Sequence, residues 1–103
     1  MKRPAPLTAD EFLDRLALAE WQVEGLVAVA EFALTPYAAA AALVAAIGEA
    51  ADAADHHPEV HLRYPGVVRV ELTTHWISAL SELDVQMAAT VSMLARQRGA
   101  TVG

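Results

Sequence analysis

Two short stretches of alternating residues, one on each side of Pro65-Gly66, constrain the fold more than any other feature. From Val60 to Tyr64 and again from Val68 to Leu72, every second side chain is apolar. A period of two is typical of a β-strand that buries one of its faces. Pro-Gly is a strong turn signal. The sequence therefore predicts an antiparallel hairpin with one apolar and one polar face.

Two capping boxes mark helix starts before and after this hairpin. In residues 8–11 and again in residues 81–84, a hydroxyl residue is followed three positions later by an acidic one. The two side chains then bond to each other's backbone N–H groups. The pattern predicts a first helix that runs to about Ala19 and a last helix that ends at Gly99.

A third helix is predicted between them, over the alanine-rich segment that ends near Ala53. Thr35 would be its N-cap and Pro36 its first helical residue. The helix carries two apolar stripes, one of Ala40, Leu43 and Ile47, the other of Tyr37, Val44, Gly48 and Ala51. One stripe can pack on the sheet, and the other then needs a partner. We therefore expect a homodimer or homotetramer with this helix in its interface.

Residues 21–23 and 26–34 predict a second hairpin, with strands of unequal length, between the first two helices. The element order becomes αββαββα, without a recognisable linker. A chain of 103 residues is large enough for one hydrophobic core and too small for two. We expect a single α+β domain spanning residues 1–103, in which helices cover one face of a four-stranded antiparallel sheet.

Composition and charge exclude several classes of function. A net charge of −6 without a basic patch argues against binding to nucleic acid or to an anionic membrane. The first twelve residues lack the apolar core of a signal peptide, and the alanine-rich run is interrupted well before about 20 residues. The chain has no cysteine, which fits a reducing compartment. We expect a soluble, cytoplasmic protein.

All four histidines lie between residues 52 and 84, and three of them are expected to meet. Pro58 favours an extended backbone at His57, so the alanine-rich helix must end before the His56-His57 pair. Neighbouring residues of an extended chain point to opposite sides, so these two histidines have different roles. The hairpin brings His75 back beside them. Because imidazole has a pKa of about 6.5, the three indicate an acid/base site.

Two other interpretations of the histidines remain open from the residues alone. They could be polar groups at strand ends that stabilise turns and helix caps. His57, Glu59 and His61 share one strand face, so a metal site is the second alternative, although zinc or iron needs three or more converging ligands.

Three further residues near the histidines each allow two interpretations, one structural and one functional. Asp84, the third residue of its helix, is accounted for by capping alone, and a role in the site would be additional. Trp76 would line a pocket for a flat heterocycle or belong to an interface. Tyr64 would be a core residue or a pocket wall.

The stretch from Asp52 to Asp84 resembles the signature of the pterin-4a-carbinolamine dehydratase family. That signature has an acidic residue shortly before His-His-Pro, an aromatic residue one strand later, a histidine after the next strand and an aspartate beyond it. In this chain the positions are Asp52, His56, His57, Pro58, Tyr64, His75 and Asp84. The flanking segments match the family's elements, so the resemblance covers nearly the whole chain.

The resemblance implies a hydro-lyase that dehydrates 4a-hydroxytetrahydropterin (4a-hydroxytetrahydrobiopterin) to quinonoid dihydropterin. This reaction recycles the cofactor of the aromatic amino acid hydroxylases, so a functional link to such an enzyme is expected. By resemblance, His56 and His75 are the acid/base groups, His57 positions the substrate and Asp84 supports them. The expected substrate-binding residues are Asp52, Pro58, Tyr64 and Trp76. No cofactor and no metal is implied, and His61 is expected to be a solvated strand residue.

The family also implies dimers or tetramers, and some relatives bind other proteins. A non-enzymatic interaction module, such as a coactivator or an assembly factor on the same fold, is therefore the alternative function. The alanine-rich helix and the Ile77-Ser78-Ala79 step before the last helix would suit such a role.

Overall fold

The computed structural model describes residues 2–103 and confirms an α+β fold. Three α-helices and an antiparallel sheet follow the predicted order. The elements are α1 (Ala9–Leu16), β1 (Gln22–Glu24), β2 (Val27–Ala33), α2 (Tyr37–Ala54), β3 (Glu59–Arg63), β4 (Val67–Leu72), a 3-10 helix (His75–Ile77), α3 (Glu82–Gln97) and β5 (Thr101–Val102).

The sheet has the strand order β1-β2-β4-β3, and the predicted hairpin forms its β3-β4 edge. Val60 faces Val70 and His61 faces Arg69 across this hairpin. The short strand β5 was not predicted. It pairs with Phe32 and Ala33 of β2, and because β4 occupies the other side of β2, it shares an edge with β1. Two residues are too few to show a strand periodicity in the sequence.

The core lies between one face of the sheet and the helices. Alternate residues of β2 and β4 point into it, among them Phe32, Val68 and Val70, and all are buried. Leu43 of α2 and Val91 of α3 are fully buried against them. The sheet thus buries the face that the alternating pattern predicts.

The opposite face of the sheet is polar and centred on Arg69. Its guanidinium donates to Glu71 at 2.8 Å, to Glu31 at 3.2 Å and to Glu24 at 3.2 Å. Hydrogen bonds to Glu71 and Glu31 raise the pKa of Arg69 further above its ordinary value. The charges of this face are therefore paired with one another.

Helix α2 buries the stripe of Ala40, Leu43 and Ile47 on the sheet. Ala51, predicted to belong to the stripe of Tyr37, Val44 and Gly48, is buried with them instead, because it lies one helical turn after Ile47. The predicted start was wrong by one residue. Pro36, not Thr35, is the N-cap, and no side chain caps the helix there.

The other helix ends follow local backbone signals. The Thr8–Glu11 capping box is formed as predicted, but α1 ends at Leu16 because Ala17 adopts a left-handed conformation with φ 54°. At the end of α3, Gly99 has φ 74° and donates to Arg96, while Ala100 donates to Ala95. This pair of bonds is the Schellman motif that a glycine at this position favours.

The 18 residues of α2, with a mean hydropathy of 1.3, are long and apolar enough to span a membrane by length and composition. In the fold, however, the helix packs on the sheet through its buried stripe. Its second half also carries Glu49 and Asp52, both exposed. It is a helix of this domain and not a clear membrane span.

Candidate active site

The first element of the site is the chain turn that ends α2 and places His56. Asp55 takes a left-handed conformation with φ 51°, and the N–H of His56 donates to the carbonyl of Ala51 at 3.2 Å. This turn directs the His56 side chain toward the start of α3. There its Nε2 lies 2.6 Å from Oδ1 of Asp84, and only 12% of the His56 side chain is exposed.

Asp84 is fully buried, and both of its oxygens are occupied. Oδ2 accepts from the Thr74 hydroxyl at 2.7 Å and from the backbone N–H of Ser81 at 2.9 Å. The Ser81 hydroxyl lies 2.7 Å from that of Thr74 and accepts from the N–H of Leu83. Since Thr74 donates to Asp84, Ser81 donates to Thr74, and every group in this network has a partner.

This network assigns the proton on His56. A carboxylate only accepts hydrogen bonds, so Nε2 of His56 carries the hydrogen that faces Asp84. In the neutral ring, Nδ1 is then the nitrogen that can accept a proton. Asp84 therefore acts both as the α3 cap predicted from the sequence and as the group that orients the imidazole.

His57 is held by a second carboxylate, on the exposed side of the turn. Its Nε2 lies 2.9 Å from Oδ1 of Asp52, which belongs to the last turns of α2. Asp52 thus contacts a histidine rather than the cleft. Pro58 is half-buried and leads into β3.

A cleft of about 500 Å³ lies between the end of α2, the end of β4 and the start of α3. It brings His56, His57 and His75 together. The lining residues are Ala54, Asp55, His56, His57, Thr73, Thr74, His75, Trp76 and Leu83. Leu83, at the start of α3, is 37% exposed and forms an apolar part of this wall.

Two residues of the 3-10 helix, His75 and Trp76, line another part of the cleft. The backbone of Thr74 pairs with Ala79 and closes this short segment. Trp76 is half exposed and lines the cleft, and its carbonyl accepts a 2.8 Å hydrogen bond from Arg3. No sequence pattern predicted this helical turn.

Tyr64, expected at the substrate site, does not line the cleft of this chain. It is 86% exposed at the tip of the hairpin, beside Tyr37 at a ring-centroid distance of 6.4 Å. It lies seven residues beyond His57, which corresponds to about 23 Å along an extended strand. Within this chain it is neither a core residue nor a pocket wall, because β3 carries it away from the histidines.

The alternative metal ligands also point apart. His61 lies on the open sheet face, 3.7 Å from Glu71, and His57 bonds to Asp52. Within residues 2–103, no three His, Asp or Glu side chains are grouped as a metal ion would require. Thr73, Thr74 and Ser81 also belong to the site, although the sequence did not predict this. Ser81 was visible only as a cap, and the two threonines only as the end of a strand.

These features define a class: a small α+β domain in which a histidine at a helix end is held by a buried carboxylate beside two further histidines. A family model described as pterin 4 alpha carbinolamine dehydratase matches residues 5–94. The chain belongs to this family.

Bacterial relatives and solved structures agree with this assignment. Proteins with provisional pterin-4-alpha-carbinolamine dehydratase names are 37% identical in Chloroflexus aurantiacus (82% of this chain, 91% of the relative) and 34% identical in Acidobacterium capsulatum (91% and 99%). The transcriptional coactivator/pterin dehydratase of Brucella melitensis is 33% identical, with a TM-score of 0.80 over 88% of this chain and 99% of that one. A pterin dehydratase-like RuBisCO assembly factor of the α-carboxysome shares the fold, at 22% identity and a TM-score of 0.60 over 73% and 86%.

Proposed function

We propose that this protein dehydrates 4a-hydroxytetrahydropterin, such as 4a-hydroxytetrahydrobiopterin, to quinonoid dihydropterin and water. The observation that carries the proposal is the 2.6 Å contact between His56 and Asp84, in a cleft that also contains His57 and His75. A histidine held by a buried carboxylate, with a second histidine in the same cleft, suits a reaction that needs one proton removed and another supplied. Membership of the family supports the same reaction.

The reaction breaks the C4a–O bond and forms a double bond between C4a and N5. A proton leaves N5, a proton joins the departing hydroxyl, and the products are water and the quinonoid ring. His56 serves as the base through Nδ1, since its Nε2–H faces Asp84, and the buried carboxylate stabilises the imidazolium that results. His75 serves as the acid. Each transfer contributes about 10²–10⁴-fold.

The remaining cleft residues bind and orient the ring. His57, fixed by Asp52, donates to or accepts from the substrate without exchanging a proton in the reaction. Trp76 and Leu83 supply apolar surface for the flat faces of a pterin. The protein then acts in the cytoplasm, in the recycling of the pterin used by an aromatic amino acid hydroxylase, and it needs no cofactor because the pterin is the substrate.

An ultraviolet assay of carbinolamine decay, with and without the protein, tests this function. We expect His56→Ala and His75→Ala each to reduce turnover at least about tenfold while the circular dichroism spectrum stays unchanged. His61→Ala is the matched control, because His61 lies on the open sheet face, and it should keep full turnover. Unchanged turnover in both cleft variants would refute the assignment.

A protein-interaction module is the second candidate. Helix α2 has an outward face of small residues, including Ala41, Ala45 and Gly48, that are exposed in the described part of the chain. The Brucella melitensis relative carries a coactivator name as well as a dehydratase name. If the wild-type protein leaves carbinolamine decay unchanged, this second candidate is favoured over the enzyme.

A further inference from the structure

The part of the cleft wall that carries His75 and Trp76 is a short turn with few hydrogen bonds of its own. Residues 75–77 form a single 3-10 turn, and no side chain caps it at Thr74. Ser78 ends the turn in a left-handed conformation with φ 51°. Hydrogen bonds in a 3-10 helix have poorer geometry than those in an α-helix. The placement of the two cleft side chains therefore depends on contacts from outside the turn.

The segment that precedes α1 (residues 3–7) supplies such contacts. The guanidinium of Arg3 donates to the carbonyl of Trp76 at 2.8 Å. At the other end of the segment, the N–H of Leu7 donates to the carbonyl of Leu80 at 2.8 Å. Leu80 is buried, and Leu7 packs against the core. The segment is thus anchored on the core at one end and holds the turn at the other.

Two prolines stiffen the chain between these two contacts. Pro4 and Pro6 each hold their own φ at about −65° because of the pyrrolidine ring. Pro4 is also half-buried. A stiff segment loses less conformational entropy when it is held in place. The anchored Leu7 therefore limits the positions that Arg3 can take.

Arg3 reaches the cleft only through the backbone of the turn. Within the described part of the chain, other residues line the cleft, and His75 and Trp76 are among them. The guanidinium is always charged, and a hydrogen bond from a charged donor is stronger than one between neutral groups. Loss of this donor should loosen the turn without removing any group that would touch a ligand.

We propose that Arg3 is a positioning residue of the cleft, because its bond to the Trp76 carbonyl holds His75 and Trp76 in place for the substrate. For its substrate class, a flat pterin, this inference rests on the proposed function. The pterin packs on Trp76 and receives its proton from His75, so both groups have to be placed by the same turn.

Two variants of Arg3 and one control test the inference. Arg3→Ala removes the donor. Arg3→Lys keeps the charge and a donor on a long side chain, so it should restore most of what Arg3→Ala loses. Lys2→Ala is the matched control, since it removes the same charge from an exposed residue one position earlier.

Acrylamide quenching of tryptophan fluorescence reports on the turn without any ligand. Trp21 is buried and Trp76 is half exposed, so the quencher reaches mainly Trp76. We expect the quenching constant to rise by about one half or more in Arg3→Ala, because a released turn opens more often. Lys2→Ala should keep the wild-type value, and Trp76→Phe identifies the share of the signal that comes from Trp76.

Binding and turnover show whether the turn matters to function. Arg3→Ala should weaken pterin binding in titration calorimetry and lower kcat/KM in the ultraviolet assay, each about three- to tenfold, because the cleft groups are misplaced. The circular dichroism spectrum should stay unchanged. Arg3→Lys should lie closer to the wild type than Arg3→Ala does. Equal losses in Lys2→Ala and Arg3→Ala would assign the effect to charge alone and overturn the inference.

The outcomes separate this inference from the proposed function. Turnover by the wild type, with quenching, pterin binding and kcat/KM all unchanged in Arg3→Ala, rejects the inference alone. Higher quenching and weaker pterin binding in Arg3→Ala, in a protein without turnover, reject the dehydratase proposal alone. Higher quenching with normal pterin binding and kcat/KM would make Arg3 a purely structural contact and overturn the inference. A wild type that neither binds pterin nor turns over the carbinolamine rejects both.

Discussion

Nε2 of His56 lies 2.6 Å from Oδ1 of Asp84, and the same carboxyl group caps the N-terminus of α3 through Ser81. The start of a helix and the orientation of an imidazole thus depend on one buried side chain. A change at Asp84 must affect stability and the site together, whereas changes at its neighbours can separate the two.

Asp84→Asn should lower both stability and turnover. Three donors converge on the carboxylate, from His56, Thr74 and Ser81, and an amide offers a single acceptor oxygen. We expect a loss of about 1–3 kcal/mol in the free energy of unfolding, since a buried donor is left unsatisfied. Turnover should fall at least about tenfold, because His56 loses its partner. Urea denaturation and the ultraviolet assay measure the two effects, and a variant normal in both would contradict this account.

A comparison of Ser81→Ala with Thr8→Ala separates capping from catalysis. Both hydroxyls cap a helix, so each variant should lose about 1 kcal/mol in the free energy of unfolding.

 Only Ser81 also contacts Thr74, which holds Asp84 in place, so only Ser81→Ala should reduce turnover. Thr8 begins α1, and its side chain bonds to Glu11, outside the cleft. Equal turnover in the two variants would show that the Ser81 hydroxyl has no effect on the site.

The dual role of Asp84 shows how far the sequence predicts this site. The capping box predicted its place in the helix, and the resemblance predicted its place near the histidines. Neither revealed that Thr74 completes the network. Thr74 lies ten residues earlier, and only the packing of the end of β4 against the start of α3 brings the two side chains together. A contact of this kind has no local sequence pattern.

The fold shows the same division between local and long-range information. The alternation around Pro65-Gly66 predicted the β3-β4 hairpin, since each strand buries one face. The same hairpin removes Tyr64 from the cleft, because the residue at its tip lies a full strand length from His57. Strand β5 was missed for another reason: its two residues form a strand only because Gly99 turns the chain back toward β2.

The Glu11 carboxylate should make stability depend on pH. Hydrogen bonds from the backbone and then the side chain of Thr8 hold the pKa of Glu11 below its ordinary value of 4.5. A carboxyl group whose pKa is lower in the folded than in the unfolded state stabilises the protein at pH values above the group's unfolded-state pKa. This contribution is lost as the pH falls through the group's folded-state pKa. The wild type should therefore be more stable than Glu11→Gln at neutral pH, and the difference should vanish in acid. Denaturation of both proteins across this range measures it, and a difference that stays constant down to about pH 3 would contradict the expectation.

Removal of divalent metal ions should leave turnover unchanged. Three histidines already face separate carboxylates: His56 faces Asp84, His57 faces Asp52, and His61 faces Glu71. They therefore do not converge on one point, as the ligands of a metal ion must. Dialysis against a strong chelator followed by the ultraviolet assay is the measurement. Activity that disappears and returns with one particular divalent ion would overturn the metal-free mechanism.

The outward face of α2 should form a contact between copies of this chain. Its inward stripe is buried on the sheet, whereas Ala41, Ala45 and Gly48 are exposed on the other side. Small side chains allow a second helix to approach closely, and a symmetric pair would bury the same face of both copies. We therefore expect light scattering at micromolar concentration to show a homo-oligomer, and Ala45→Glu to reduce its mass toward that of the monomer by placing a charge in the contact. Ala89→Glu, at an exposed position of α3, is the matched control and should leave the mass unchanged. A monomeric wild type, or an oligomer that Ala45→Glu leaves intact, would show that α2 does not join the subunits.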